Sequence, residues 1–112
     1  MTTPGLGDLE RLVLLAVLRL ADGAYAVSVR EEIKRCTRRD VSRGAVYVTL
    51  DRMVRKGFLR SRLGQPTNER GGKAKRLFTV AAAGKRALRV TLDDTHAMLD
   101  GLPADLSWSP QR

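Results

Sequence analysis

The sequence has 112 residues, which is the length of one domain with one modest hydrophobic core. A single cysteine excludes an internal disulfide, and a single histidine excludes a histidine-rich metal site. No apolar run approaches the roughly 20 residues that cross a bilayer, and the start of the chain lacks a signal-peptide pattern. We therefore expect a cytoplasmic protein with no cofactor, no bound metal and no membrane partner.

Positive charge is concentrated in the middle of the chain. Overall there are 21 lysines and arginines against 12 aspartates and glutamates, giving a formal net charge of +9. Residues 30–89 hold 18 of the basic and 5 of the acidic residues, so the remaining residues are net acidic. A steep asymmetry of this kind favours one positive face, and the partner that fits such a face is a polyanion.

The first predicted helix runs from Asp8, which can cap it, to about Leu20. It is apolar on nearly every side, whereas a helix on the surface of one core needs only a stripe. A chain of this size cannot cover all sides of one helix, so a second subunit is expected there. Leu12 and Leu15 are assigned to that contact.

Two shorter helices are predicted next. One begins near Tyr25, after a break at residues 21–24, and the other begins after Ser42, a favourable N-cap. Apolar residues at positions 46, 50, 53 and 54 give the third helix an amphipathic pattern, and Gly57 ends it. Cys36, near the end of the second helix, reads as an inert, partly buried thiol, with a redox-sensing thiol as the alternative.

A β-hairpin and a last helix complete the chain. Alternating patterns predict strands over residues 58–63 and 75–80, joined by a basic, glycine-bearing tip. Residues 83–101 are predicted as a helix in which Leu88, Leu92, Thr95, Leu99 and Leu102 follow one another at heptad-like steps of 4, 3, 4 and 3. The residues assigned to this seam as a dimer contact are Leu88, Leu92, Leu99 and Leu102.

This order of elements predicts a mainly α-helical fold with a small β-hairpin, namely a winged helix-turn-helix with an added C-terminal dimerisation helix. The expected divisions are a loose segment over residues 1–7, a DNA-binding domain over 8–80, the dimerisation helix over 81–102 and a tail over 103–112.

Double-stranded DNA is the expected polyanion. The third helix would enter the major groove, where arginine binds guanine or phosphate with two hydrogen bonds. Its candidate contacts are Ser42, Arg43, Ala45, Tyr47, Val48, Arg52 and Arg55. The hairpin, or wing, supplies Arg70, Gly71, Gly72, Lys73, Lys75 and Arg76. For both sets the alternative is an ordinary solvated surface.

Several motifs resemble one family. Residues 44–53 (GAVYVTLDRM) and 56–59 (KGFL) resemble the recognition-helix signature of PadR-type transcriptional regulators. Residues 69–78 (ERGGKAKRLF) are similar to the wing of that family, and residues 83–88 (AGKRAL) to the start of its final helix. The resemblance, which spans about residues 6–102, implies a homodimeric DNA-binding regulator, usually a repressor, whose first and last helices build the dimer. It places the chain in the short branch with a single C-terminal helix.

The sequence departs from the family pattern in two places. Ala81 and Ala82 stand where the family often has Thr-Pro, so the last helix lacks its usual cap. Drug-sensing members of the family hold flat ligands with aromatic residues on that helix, and residues 83–102 contain none. A small-molecule effector is possible within the family, but this sequence offers it no support.

Other functions compete with specific DNA binding. A non-specific nucleic-acid-binding or RNA-binding module would carry the same charge, although single-strand binders favour more exposed aromatics than this chain offers. A protein-interaction module built on the same fold is the third alternative. No arrangement of nucleophile and base is apparent, so we expect a protein that is not an enzyme.

Overall fold

A computed structural model of the chain describes residues 6–65 and 74–106. The helices are α1 (Asp8–Leu20), α2 (Ala26–Thr37), α3 (Arg43–Arg55) and α4 (Ala82–Leu99), and the strands are β1 (Leu59–Leu63) and β2 (Arg76–Val80). Short 3-10 turns follow α1, at Ala21–Gly23, and α4, at Ala104–Leu106. The mainly helical fold with one antiparallel hairpin is the winged helix-turn-helix predicted from the sequence, and the strands agree with the predicted ones to within a residue.

The hydrophobic core lies where α1, α2 and α3 meet beneath the hairpin. Its fully buried members include Val13, Leu14, Val29, Val46, Leu50 and Met53. Leu59 and Phe78 attach the two strands to it. The amphipathic pattern of α3 is confirmed, because its apolar stripe faces this core and leaves the opposite side of the helix outside.

The start of α1 differs from the prediction. Gly7, and not Asp8, is the N-cap, and its N–H donates to Oε1 of Glu10 at 2.8 Å. The Glu10 side chain reaches back from the third helical position, and the Asp8 carboxylate instead accepts hydrogen bonds from Arg11 and Arg39. Leu6 donates its N–H to Oγ1 of Thr91 on α4 at 3.2 Å. The described part of the predicted loose segment is therefore tied to both α1 and α4.

The hairpin is held on both sides of β2. In the antiparallel register Ser61 is opposite Phe78, and the N–H of Phe78 donates to the carbonyl of Ala24 at 2.9 Å. β2 thus lies between β1 and the segment that precedes α2. Gly57, with a φ of 79°, makes the turn from α3 into β1.

α4 begins in close contact with the turn between α3 and β1. Ala81 offers no side-chain cap, as predicted, and its N–H instead donates to the carbonyl of Phe58 at 2.9 Å. Gly84 is buried against the same carbonyl, and a Cβ at Gly84 would lie 2.2 Å from that oxygen. Only glycine allows the helix to approach this closely.

The second half of α4 leaves the body of the protein. Residues 93–98 are all exposed, Met98 by 77%, and the described chain measures 55 × 34 × 23 Å. Within the predicted seam, Leu88 is 5% exposed and packs into the core of its own chain, so it leaves little surface for a second subunit. The helix ends at Leu99, so Leu102 lies beyond it. The contact of these leucines with a second subunit stays a prediction.

Among the described residues, no single helix is both long and apolar enough to cross a membrane. The sharply bent pair α1–α2 passes that test by length and composition alone, as buried core helices do.

Candidate nucleic-acid interface

The outward face of α3 carries several of the residues predicted for DNA contact. Ser42 caps the helix as expected, since its Oγ accepts a hydrogen bond from the N–H of Ala45 at 3.1 Å. Tyr47 and Val48 are 52% and 53% exposed, which is high for an aromatic and a β-branched side chain. Ala45 is half-buried at the edge of this face.

Arginines stand at the two ends of the same helix. Arg43 opens α3 and Arg55 closes it, and both are exposed. With a rise of about 1.5 Å per residue, their Cα atoms are separated by about 18 Å. Neither forms an ion pair within 4.0 Å among the described residues, so both guanidinium groups are available to a ligand.

Arg52, another predicted DNA contact on α3, lies near a carboxylate of α1. Its Nη1 is 3.7 Å from Oε2 of Glu10 on α1, and Nζ of Lys56 is 3.0 Å from the same oxygen. The Arg52 side chain is nevertheless 46% exposed, so it faces outward while lying beside the carboxylate of Glu10. Arg52 is therefore partly neutralised within its own chain.

Glu10 is the buried acidic centre of this arrangement. It is 8% exposed, and burial alone would raise the pKa of its carboxyl group. The hydrogen bonds from the Gly7 N–H and the Lys56 ammonium outweigh burial, so the pKa of Glu10 lies below its ordinary value. The carboxylate stays ionised and continues to hold the cations near it.

Two cations at the base of the hairpin are also engaged. Arg76 donates from Nη1 to Oδ1 of Asp51, which lies on α3. Nζ of Lys75 lies 4.2 Å from the centre of the Tyr25 ring, a cation–π contact. Lys75 and Arg76, both predicted as wing contacts, thus each have a partner within the chain, the ring of Tyr25 for Lys75 and the carboxylate of Asp51 for Arg76. Their contact with DNA stays a prediction. The other predicted wing contacts, Arg70, Gly71, Gly72 and Lys73, lie outside the described residues.

β1 presents two arginines that the sequence analysis missed. Arg60 and Arg62 are exposed, alternate along the strand, and lie opposite Thr79 and Leu77 in the register. Neither has an ion-pair partner among the residues the structure describes. The signal was present in the sequence, because Arg60 and Arg62 are two residues apart in a predicted strand, and side chains two residues apart lie on the same side of a strand.

Carboxylate pairing divides the cations of residues 6–65 and 74–106 into two groups. Those within 4.0 Å of an Asp or Glu are Arg11, Arg19, Arg30, Lys34, Arg35, Arg39, Arg52, Lys56 and Arg76. On α3 and β1, the cations with no such partner among the described residues are Arg43, Arg55, Arg60 and Arg62. We use the name α3–β1 face for these four exposed arginines together with the exposed Tyr47 and Val48.

Cys36 is exposed, which corrects the expectation of a partly buried thiol. Its Sγ lies 3.5 Å from Oε2 of Glu32 and 3.5 Å from Nη2 of Arg35. The helix that carries Cys36 turns it away from the core, whose side of α2 is filled by Val29 and Ile33. Within residues 6–65 and 74–106, no cluster of three His, Cys, Asp or Glu side chains is suited to a metal ion.

Solved structures share this fold. A PadR family transcription regulator from hypervirulent Clostridium difficile aligns with a TM-score of 0.66 and 15% identity, over 81% of this chain and 91% of the other. A PadR family transcriptional regulator from Eggerthella lenta aligns with a TM-score of 0.63 and 23% identity, over 84% and 81%. A transcriptional regulator from Clostridium thermocellum gives 0.68 and 13%, over 80% and 82%. At these identities the likeness establishes the fold alone.

Among curated proteins, none matches this chain. The model of the transcriptional regulator PadR-like family matches residues 14–90, which run from within α1 into the first half of α4. The matched region includes α2, α3 and the hairpin, and so the whole α3–β1 face. The family consists of transcriptional regulators and not of enzymes, in agreement with the expectation from the sequence. This chain belongs to the transcriptional regulator PadR-like family.

Proposed function

We propose that this protein is a homodimeric, sequence-specific DNA-binding regulator, acting as a repressor, and that it binds double-stranded DNA through the α3–β1 face. The observation that carries the proposal is the set of cations on that face that have no carboxylate partner in the part of the chain that the structure describes. A cation already paired with a carboxylate must lose that partner before it can bind phosphate, whereas Arg43, Arg55, Arg60 and Arg62 need lose none.

The position of each residue on the α3–β1 face determines whether we assign it to bases or to phosphates. Arg43 lies in the first turn of α3, the part of a recognition helix that meets base edges, so it is assigned to guanine. Val48 offers an apolar contact for a thymine methyl group. Arg55, Arg60 and Arg62 are assigned to phosphates, which position the protein without reading sequence.

Dimerisation is assigned to the second half of α4 together with α1. Met98 is 77% exposed, and Leu92 and Leu99 are half-buried along the same helix. Leu12 and Leu15 are half-buried beside a shallow cleft between α1 and α2. An apolar surface spread over two helices is what a second subunit would cover. Within this proposal the winged helix-turn-helix ends with the hairpin, and the dimerisation element begins at α4.

Selection of bound duplexes from a random pool tests the proposal. A two-fold dimer should enrich a near-palindrome whose half-sites are about 34–36 Å apart, or a multiple of that distance. Arg43→Ala should lower affinity for the selected site by about 1–3 kcal/mol and affinity for scrambled DNA by less. Arg35→Ala is the matched control, because it removes the same charge from a side chain already paired with Glu32.

Two results would count against this function. If selected and scrambled duplexes bind equally, with a steep fall in affinity as salt rises, charge alone explains binding and the protein is a non-specific or RNA-binding module. If binding to any duplex is weak and insensitive to salt, the α3–β1 face does not meet nucleic acid, and a protein-interaction role takes its place.

A further inference from the structure

Glu31 differs from the other carboxylates in the basic middle of the chain. The other described acidic residues between positions 30 and 89 each form an ion pair, and they are Glu32, Asp40 and Asp51. Glu31 is exposed and has no lysine or arginine nitrogen within 4.0 Å among the described residues. Even Arg35, one turn further along α2, pairs with Glu32 instead. The carboxylate of Glu31 is therefore an acceptor left open to a ligand.

Glu31 lines a small cleft between the outer sides of α2 and α3. Val27 lies beside it on α2, and Arg43 and Tyr47 line the α3 side. Glu31 and Arg43 do not form an ion pair with each other, so one cleft carries an open acceptor and an open donor. Its volume is about 140 Å³, well below the roughly 300–1,000 Å³ of small-molecule sites. The cleft therefore suits the edge of a larger partner better than an enclosed ligand.

Arg30, which also lines the cleft, fixes its frame. Its Nε donates to the carbonyl oxygen of Val41 at 2.6 Å, and its Nη2 donates to Oδ1 of Asp40 at 3.0 Å. These bonds tie α2 to the segment that leads into α3, and they keep the guanidinium of Arg30 from neutralising Glu31. The helices that carry the donor and the acceptor are thus held in place before a partner binds, as a selective site requires.

A G·C base pair presents in the major groove the groups that this cleft complements. Guanine offers the acceptors N7 and O6 to an arginine, and cytosine offers its N4 amino group to a carboxylate. Thymine offers the acceptor O4, and adenine has the acceptor N7 beside its amino group, so both are poorer partners for a carboxylate. Phosphate is excluded as the partner of Glu31, because two anions repel.

We propose that Glu31 is a specificity-determining residue that selects cytosine, at the base pair contacted by Arg43 or at the adjacent one. The inference rests on the proposed function, and it adds a base contact from α2 to those assigned to α3.

Selection of bound duplexes from a random pool, by the original chain and by Glu31→Gln, tests the inference. The original chain should enrich cytosine within one base pair of the guanine whose preference is lost in Arg43→Ala. Glutamine both donates and accepts, which suits N6 and N7 of adenine, so the variant should enrich adenine there. On labelled duplexes that differ only at this position, the original chain should bind cytosine about tenfold more tightly than adenine, and the variant should reverse that order.

Asp51→Asn is the matched control, because it removes the same charge from α3 at a residue outside the cleft. It should leave the preference for cytosine unchanged. If Glu31→Gln tightens binding to every duplex alike and still enriches cytosine, Glu31 acts only by repelling phosphate, and the inference is overturned. A variant that matches the original chain in both motif and affinity overturns it equally. In both cases the proposed function stands. If the original chain enriches no motif, the proposed sequence-specific function itself fails, and the inference fails with it.

Discussion

Arg76, the first residue of β2, donates a hydrogen bond from Nη1 to Oδ1 of Asp51 on the outward side of α3. The ion pair joins the base of the hairpin to the helix that the proposal places in the major groove. Both side chains keep nearly half of their surface exposed, at 42% and 47%. An exposed pair contributes about 0–1 kcal/mol to stability, so its larger effect is on the charge that the protein presents to DNA.

Removing the charge of Asp51 and removing that of Arg76 should change the affinity for DNA in opposite directions. Asp51→Asn removes a carboxylate that repels phosphate and releases Arg76, so affinity for scrambled duplex should rise severalfold. The plot of log affinity against log salt concentration should also steepen by the equivalent of about one phosphate contact. Arg76→Gln leaves Asp51 without its cation, so affinity should fall. Titration of a labelled duplex at several salt concentrations measures both effects. Equal losses for the two variants would mean that the pair positions the hairpin and that its charge matters little.

A close contact at Gly84 leads to a prediction about stability. Gly84→Ala would place its Cβ 2.2 Å from the backbone oxygen of Phe58, so α4 must move away from the turn before β1. Overpacking of this kind costs about 1–3 kcal/mol in the free energy of unfolding. Thermal or urea unfolding measures the change.

Gly44→Ala is the matched control, because nothing lies within 4 Å of a Cβ built at Gly44. In a helix this substitution should raise the free energy of unfolding by about 0.5–1 kcal/mol. If both alanine variants shifted stability in the same direction, the contact between Gly84 and Phe58 would not be what requires glycine there.

Local patterns were sufficient to predict the helices and strands. The spacing of Val46, Leu50 and Met53 identified the core side of α3, and Gly57 marked the turn after it, because both signals depend only on near neighbours in sequence. The same patterns could not identify the partners of side chains. The Arg76–Asp51 pair joins residues 25 positions apart, and the Lys56–Glu10 pair joins residues 46 positions apart.

The predicted seam on α4 illustrates the same limit. Leu88 and Leu92 have the spacing of a dimer contact, but spacing identifies only an apolar stripe and not what covers it. In the structure the chain covers Leu88 with its own core and leaves the stripe open only beyond that residue. Arg60 and Arg62 were not among the predicted contacts for a different reason: the wing prediction rested on the basic, glycine-bearing tip and on the start of the second strand.

Two substitutions of Glu10 separate the contribution of its charge to stability from that of its hydrogen bond to Gly7. Glu10→Gln keeps an oxygen that can accept the Gly7 N–H but loses the charge that holds Lys56, whereas Glu10→Ala loses both. Because Lys56 is half-exposed and regains water, we expect a loss of about 1 kcal/mol for the glutamine variant and about 2 kcal/mol for the alanine variant. Urea unfolding measures both. Equal stability of the two variants would mean that the charge, and not the hydrogen bond to Gly7, carries the whole effect.

Acid should weaken the contact between α1 and α2 through Glu32. Hydrogen bonds from Arg35 and Arg19 lower the pKa of Glu32 from 4.5 to about 2. A group whose pKa is lower in the folded state stabilises the fold above its unfolded pKa, and this stabilisation is lost as pH falls through the folded value. The stability difference between the original chain and Glu32→Gln should therefore be full at pH 7 and shrink between about pH 4.5 and 2. Urea unfolding across that range measures it, with Glu31→Gln as the control, because Glu31 has no ion-pair partner among the described residues. A difference that stays constant down to about pH 2 would show that Glu32 acts through packing and not through its charge.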